Sequence, residues 1–187
     1  MTPLPHIQRL LAVAALAVVA TASLRTSANA APAPPAVPAD IAVPDGNKLF
    51  LVGHATGVQI YSCTSTSTGF AWQLVAPKAT LYDDHGKVIA THFGGPTWQA
   101  TDGSSVVGKR DRQVTVDPSA IAWLRLSASS VSAGADGARL AGTTWIQRID
   151  TTGGLAPATG CDALSAGSVR EVQYTADYTF WKATATA

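Results

Sequence analysis

Three histidines follow residue 30 of this 187-residue chain, and they are its best-suited ligands for metal chemistry: His54, His85 and His92. In β-domains, imidazoles on neighbouring strands bind copper or zinc together with carboxylates. None of the three is paired at a close ligand spacing such as H-x-H, and the Asp-His-Gly sequence around His85 is typical of a turn. We therefore predict no cofactor. A transition metal held by these histidines, in a metal-dependent or redox enzyme, is kept as the alternative.

The residue types for covalent catalysis are present, but the motifs that accompany them are not. Ser104 or Ser105 with His92 and Asp102 would supply a triad, which is defined by geometry and not by chain order. The chain contains neither the G-x-S-x-G motif of a nucleophile turn nor the G-x-G-x-x-G motif of a nicotinamide site. Glycosidases need two carboxylates in a cleft, and Glu171 is the only Glu. We therefore expect a protein without enzymatic activity.

Five tryptophans offer large aromatic surfaces to a core or to a ligand. Most of them must pack in the core, because tryptophan supplies so much apolar area. Trp98 follows a Gly-Gly-Pro bend and precedes a polar turn, so an exposed Trp98 would form a stacking platform for a sugar or an aromatic ligand. Strand alternation alone leaves both environments open for it. The candidate ligand-binding residues are His92, Trp98, Asp102 and Arg148.

The first 30 residues have the composition of a secretory signal peptide. Arg9 precedes an uncharged apolar run at 10–22, and an Ala-Asn-Ala cleavage motif ends at residue 30. The apolar run is about 13 residues long, which is shorter than the roughly 20 residues of a membrane-spanning helix. We predict a cleaved signal peptide at 1–30, no membrane span, and a secreted or periplasmic protein.

The charge balance restricts the partners. The formal net charge of +1 falls to −1 when Arg9 and Arg25 leave with the signal peptide. Nucleic acids and anionic membranes select basic proteins, so we predict no nucleic-acid partner. The partner expected from the candidate binding residues is an unknown small molecule or glycan. The oligomeric state stays open. The basic cluster at 109–112 could hold a carboxylate or phosphate, although a solvated sheet edge explains it better.

Cys63 and Cys161 are the only cysteines. An even count in an oxidising compartment predicts a disulfide. A redox-active pair would instead need a C-x-x-C spacing and an activating environment, neither of which is visible. We expect a structural bond that closes a loop of about 98 residues.

Short apolar segments separated by turn residues follow a proline-rich stretch. Residues 31–44 contain five prolines, a composition typical of an extended spacer. Residues 172–180 alternate apolar and polar side chains, as in a strand with one buried face. The predicted strands are 48–54, 58–63, 71–75, 79–82, 87–93, 97–101, 105–109, 113–116, 123–127, 143–149 and 169–180. We predict one all-β domain at 45–187, a single antiparallel β-sandwich or barrel with one disulfide.

Two local patterns place candidate residues on this sheet. In the hairpin around Asp102-Gly103, a two-residue turn would place Trp98 opposite Val107. In the strand at 143–149, alternation puts Arg148 on the same face as Ile146.

Several separated motifs, in order, resemble one family. They are Gly-Val-Gln-Ile-Tyr-Ser-Cys at 57–63, His-Phe-Gly-Gly-Pro-Thr-Trp at 92–98, the segment 146–154 with Ala-Pro at 156–157, Gly-Cys at 160–161 and Tyr-x-Ala-x-Tyr-x-Phe at 174–180. Together they resemble the secreted family known as domain of unknown function 3455, over about residues 38–181. The resemblance implies one exported domain and brings no established activity. We expect an exported, non-enzymatic binding module; the alternatives are the histidine enzyme and a structural or interaction protein of the envelope or secretome that binds through a sheet edge.

Overall fold

The computed structural model describes residues 32–185, which form one antiparallel sheet of eight strands that closes into a barrel. The strands are β1 (Asn47–Thr66), β2 (Gly69–Tyr82), β3 (Val88–Phe93), β4 (Thr97–Ala100), β5 (Ser105–Val114), β6 (Trp123–Ser132), β7 (Trp145–Gly153) and β8 (Val169–Ala183). The predicted all-β class is confirmed, and of the two architectures considered the chain adopts the barrel. Across the described part of the chain, no helix has the length and apolar character needed to cross a membrane. The predicted signal peptide, 1–30, lies outside the described residues.

Each strand pairs with the next along the chain, and β8 returns to pair with β1. Because all neighbours are antiparallel, alternate connections lie at the same end of the barrel. We call the end with connections 83–87, 101–104 and 133–144 the closed end, and the end with connections 94–96, 115–122 and 154–168 the open end. Because the ring is closed, none of its eight strands is an edge strand. A protein that binds partners through a sheet edge would use an unpaired edge strand.

The closed end is filled by apolar side chains. The inward-facing ones are Leu81, Ile89, Val106, Ile146 and Phe180, each at most 2 % exposed. Leu140, from connection 133–144, is fully buried and packs in the same cluster. Side chains of this size fill the interior of an eight-stranded barrel, so this end of the barrel is packed.

β1 runs without interruption through Gly57, where the sequence predicted a gap between two strands. A Cβ atom at Gly57 would lie 2.2 Å from the carbonyl oxygen of Lys78 and 2.5 Å from the Cα of Ala79. The glycine therefore permits close approach of β2 and does not end the strand. β2 and β5 each replace two predicted strands in the same way, and register shifts leave Val75 and Asp111 as bulges at or beside the predicted gaps.

The β4–β5 hairpin differs by one residue from the prediction. Ala100 N–H donates to the carbonyl of Ser104, so three residues form the loop, and Gly103 closes it with a φ of 81°. Three-residue loops of this kind place a left-handed residue at their third position. Trp98 therefore pairs with Val106, one residue before the predicted partner.

The predicted disulfide between Cys63 and Cys161 is confirmed, with a Cα–Cα distance of 5.3 Å. The disulfide joins the C-terminal part of β1 to connection 154–168. Beside it, Trp72 Nε1 donates to the carbonyl oxygen of Thr159 at 2.9 Å. Covalent and hydrogen bonds thus fix the longest connection of the open end against the β1–β2 hairpin.

Part of segment 31–44 packs on the outer face of the barrel. Ile41, which ends a short 3-10 helix, is fully buried. Gln147 Nε2 donates to the carbonyl oxygen of Ile41 at 2.8 Å, and Gln147 Oε1 accepts from Thr179 Oγ1 at 2.9 Å. Ile41 therefore contributes to the packing from within the segment that the sequence suggested to be a spacer.

Candidate functional site

The open end of the barrel contains a cavity of about 620 Å³, which we call the barrel cavity. Its inner part is formed by side chains from five strands: Gln59 of β1, His92 of β3, Trp98 of β4, Arg148 of β7 and Tyr178 of β8. Its outer part is mainly apolar and includes Leu74, Val75, Pro77, Pro96 and Leu124. Small-molecule sites are typically concave spaces of about 300–1,000 Å³ with apolar walls and a few placed polar groups. The barrel cavity has this size and composition.

The structure brings together three of the four predicted ligand-binding residues. His92, Trp98 and Arg148 all line the barrel cavity. Arg148 lies inside because alternation along β7 turns it to the same side as Ile146, which is fully buried. The strand face that the sequence assigned to Arg148 and Ile146 is the one that points into the barrel.

Asp102 lies away from the cavity, in the β4–β5 connection at the closed end. Its Oδ1 accepts hydrogen bonds from the backbone N–H and the hydroxyl of Ser104 at 3.0 and 2.5 Å, and its Oδ2 accepts from the backbone N–H of Arg139 at 2.8 Å. The Ser104 hydroxyl is the main cause that lowers the pKa of Asp102. Asp102 thus joins two connections, and it forms no triad with Ser104 and the distant His92.

His92 and Trp98 form a directly paired couple across β3 and β4. Their rings are stacked, with centroids 4.2 Å apart and planes 6° apart. Tyr178 meets both rings edge-on, with centroid distances of 5.0 and 5.2 Å. Trp98 is only 1 % exposed, and His92 covers one face of its ring. Trp98 is therefore not an exposed stacking platform.

Burial keeps His92 uncharged at neutral pH. It lowers the pKa of His92 to about 4, and the nearby Arg148 acts in the same direction. His92 Nδ1 lies 2.9 Å from the carbonyl oxygen of Thr97. A carbonyl only accepts, so Nδ1 carries the proton and Nε2 keeps a lone pair. The side chain therefore brings an acceptor, and no charge, to the barrel cavity.

Arg148 is the only charged side chain on the inner surface of the barrel cavity among the residues described. Its Nε and one terminal nitrogen donate to the carbonyl oxygen of Ala122 at 3.2 and 2.7 Å. Within residues 32–185, none of the ion pairs at 4 Å or less involves Arg148. The side chain is partly buried, so its guanidinium is held inside the barrel by a backbone carbonyl and without a carboxylate.

Two side chains that line the barrel cavity each carry a buried donor without a partner. Gln59 Nε2 and Trp98 Nε1 are buried and make no hydrogen bond within the described part of the chain. Gln59 is 2 % exposed and Trp98 is 1 % exposed, and both line the barrel cavity. A buried polar group without a partner costs about 1–3 kcal/mol, and buried donors of this kind are normally satisfied.

Sequence reasoning missed Gln59 and Tyr178 as site residues. The alternation at 172–180 had already placed Tyr178 on the buried face of its strand, so the signal for that residue was present. Gln59 gave the opposite signal, because the apolar Val58 and Ile60 flank it and predict the other face as the buried one.

The three candidate metal-binding histidines lie in different places. His92 is inside the barrel, His85 is exposed in the β2–β3 connection, and His54 is on the outer face of β1 between two carboxylates. Over residues 32–185, no group of three or more His, Cys, Asp or Glu side chains has an arrangement that could hold a metal ion. The structure does not bring these three histidines together.

His54 is expected to make the stability of the protein depend on pH. Its two ring nitrogens lie 2.8 Å from Asp84 Oδ1 and 2.7 Å from Asp177 Oδ1. These hydrogen bonds, that to Asp84 first, raise the pKa of His54 above 6.5 against the effect of partial burial. Protonated His54 therefore stabilises the folded state fully below about pH 6.5, and this contribution is lost as the pH rises through the raised pKa.

Urea unfolding of the wild type and of a His54→Gln variant measures this contribution. We expect the loss of unfolding free energy caused by the substitution to be larger at about pH 5.5 than at about pH 8.5. Both side chains of the ion pair with Asp84 are well exposed, so the difference should be small. An equal loss at the two pH values would contradict the role of the charged imidazole.

Comparison with known proteins identifies one family. Residues 44–182 match the family described as Protein of unknown function (DUF3455), a match that extends from before β1 into β8. No curated protein matches the chain, and no solved structure matches it.

Proposed function

The chain belongs to the DUF3455 family, and from this premise we propose that it is an exported, non-enzymatic β-barrel that binds a small molecule in the barrel cavity. The disulfide between Cys63 and Cys161 supports export, because such bonds persist in oxidising compartments. Binding is supported by the cavity itself, which has the size of a small-molecule site and opens at one end of a barrel whose other end is filled.

One observation carries the proposal: the unpartnered donors Gln59 Nε2 and Trp98 Nε1 lie in residues that line the barrel cavity. Leaving such buried donors without an acceptor is unfavourable. A ligand that accepts a hydrogen bond from one or both donors would recover this free energy, and this gain would favour binding.

The walls of the cavity favour an apolar ligand over a glycan. Sugars are recognised through many hydrogen bonds and through the open face of an aromatic ring. In this protein Trp98 is buried beneath His92, and the outer wall is formed by apolar side chains such as Leu74, Val75 and Leu124. We therefore infer a ligand with an apolar body and few polar groups.

The same lining supports binding over catalysis. A histidine that acts as a general base is usually oriented by a carboxylate, whereas Nδ1 of His92 is held by the backbone carbonyl of Thr97. Its lowered pKa of about 4 also places its titration well below neutral pH, far from the range in which an acid–base group works best.

A neutral fluorescent probe, N-phenyl-1-naphthylamine, tests the proposal. We expect a saturable, blue-shifted emission with one probe molecule per barrel. A Leu124→Trp variant should weaken the affinity by about tenfold or more, a change of about 1.4 kcal/mol, because the larger side chain on β6 would occupy the cavity.

The matched control is Val131→Trp, which adds the same indole to the same strand at an exposed position that does not line the cavity. It should bind the probe like the wild type. Absence of saturable binding to the wild type, or equal affinity in the Leu124→Trp variant, would overturn the proposal.

A further inference from the structure

We propose that the ligand carries one anionic group, a carboxylate, which binds Arg148 while its apolar body occupies the outer part of the barrel cavity. This inference rests on the proposed function and specifies the class of ligand for that site.

The first argument is the missing counter-ion of Arg148. Its guanidinium lies inside the barrel, where two of its nitrogens share the carbonyl oxygen of Ala122. None of the ion pairs among residues 32–185 includes it. A partly buried cation without a nearby anion is unfavourable. An incoming carboxylate would provide the anion, and the guanidinium presents a planar pair of donors that fits it.

The second argument is the sign of the charge along the whole cavity. Lys109 and Arg110 line its outer part, and no acidic residue belongs to its lining as described. The nearest acid in sequence, Asp111, is bound by Arg125 at 2.5 and 2.8 Å. The cavity therefore attracts anions from its entrance to its inner end.

The third argument concerns the number of charges. His92 is neutral, so among residues 32–185 Arg148 alone supplies a full positive charge at the inner end of the barrel cavity. A carboxylate carries one negative charge and two oxygens, which match the single charge and the paired N–H donors of one guanidinium. A phosphate monoester carries about −1.5 to −2 charges at neutral pH, for which the inner end provides too few cations. The balance favours a carboxylate.

Two nearly isosteric molecules, decanoic acid and decanamide, test the inference by displacement of N-phenyl-1-naphthylamine at neutral pH. We expect the wild type to bind the acid roughly ten- to a hundredfold more tightly than the amide, as for a hydrogen bond between charged groups. In an Arg148→Gln variant the two affinities should become equal within about threefold. A Lys48→Gln variant, which removes an exposed positive charge at the closed end, should keep the preference of the wild type.

The outcomes separate the two proposals. If the probe binds but the wild type does not prefer the acid, the carboxylate inference is wrong and the small-molecule site stands. If the preference survives in Arg148→Gln, the anion is held elsewhere and the inference is also wrong. If the probe itself does not bind, the proposed function fails and the inference fails with it. The comparison in the wild type needs no variant, so it holds even if Arg148→Gln does not fold.

Discussion

Replacing Trp98 with alanine is expected to lower the free energy of unfolding by about 3–5 kcal/mol. Trp98 is 1 % exposed, stacks on His92, and meets Tyr178 and Phe180 edge-on at centroid distances of 5.2 and 6.1 Å. The substitution removes all three contacts. It also leaves a void that the barrel cannot refill, because the hydrogen-bonded ring fixes the distance between opposite walls.

Urea denaturation followed by far-ultraviolet circular dichroism measures this loss. Phe93→Ala is the matched control, since Phe93 is also an aromatic residue of the β3–β4 hairpin but is 42 % exposed. The control should lose about 1 kcal/mol or less. If the free energy of unfolding of Trp98→Ala lies within about 1 kcal/mol of that of the wild type, the packing of the indole does not stabilise the barrel.

The Trp98→Ala variant also tests how the cavity and the core are related. Because Trp98 lines the barrel cavity and also contacts Phe180, its removal should extend the cavity toward Phe180. Larger apolar ligands should then gain affinity relative to small ones even though the protein is less stable.

The fold class followed from the sequence because strand alternation is a local signal. The pattern at 172–180 correctly gave the buried face of β8, and the pattern at 143–149 correctly grouped Arg148 with Ile146. Each signal requires only that successive side chains point to opposite faces. Barrel closure is different in kind, because it depends on pairing between the first and last strands, which no local pattern reports.

Glycine and proline positions were harder to interpret. Gly57 predicted a break, but in the barrel it allows β2 to approach β1 at a distance that no Cβ would permit. Pro77 also lies within β2, two residues from the bulge at Val75. Both residues disturb an isolated strand, and only the packed barrel provides the reason for them.

The candidate site was predicted in part, for a geometric reason. Asp102 was grouped with His92 and Trp98 because it is near them in sequence. Along a strand each residue advances by about 3.3 Å, so the four positions from Trp98 to Asp102 lead from the cavity to the closed end. Gln59 and Tyr178 are distant in sequence and reach the cavity only through closure of the ring.

A double variant, Cys63→Ser with Cys161→Ser, is expected to lose about 4–5 kcal/mol of unfolding free energy. The two cysteines are 98 positions apart, and in the chain-entropy model a loop of about this length gives a stabilisation of that size. The total stability of a domain is about 5–15 kcal/mol, so the loss would be a large fraction of it.

The measurement compares urea unfolding of the wild type and the double variant with and without a thiol reductant. The reductant should move the wild type to the stability of the variant and should leave the variant unchanged. If the two proteins unfold at the same urea concentration under oxidising conditions, the disulfide contributes nothing to stability, and the long connection is held by its non-covalent contacts alone.

Those non-covalent contacts decide what the native state of the variant should look like. Tyr61 Oη donates to the carbonyl oxygen of Gly154 at 2.6 Å, and Arg170 lies over the ring of Trp72 at 5.7 Å. Both remain after the cysteines are replaced. Because the entropic effect of a cross-link acts on the unfolded chain, the folded barrel should keep its circular dichroism spectrum and its affinity for N-phenyl-1-naphthylamine. A loss of probe affinity in the folded double variant would instead show that the disulfide determines the shape of the barrel cavity at the open end.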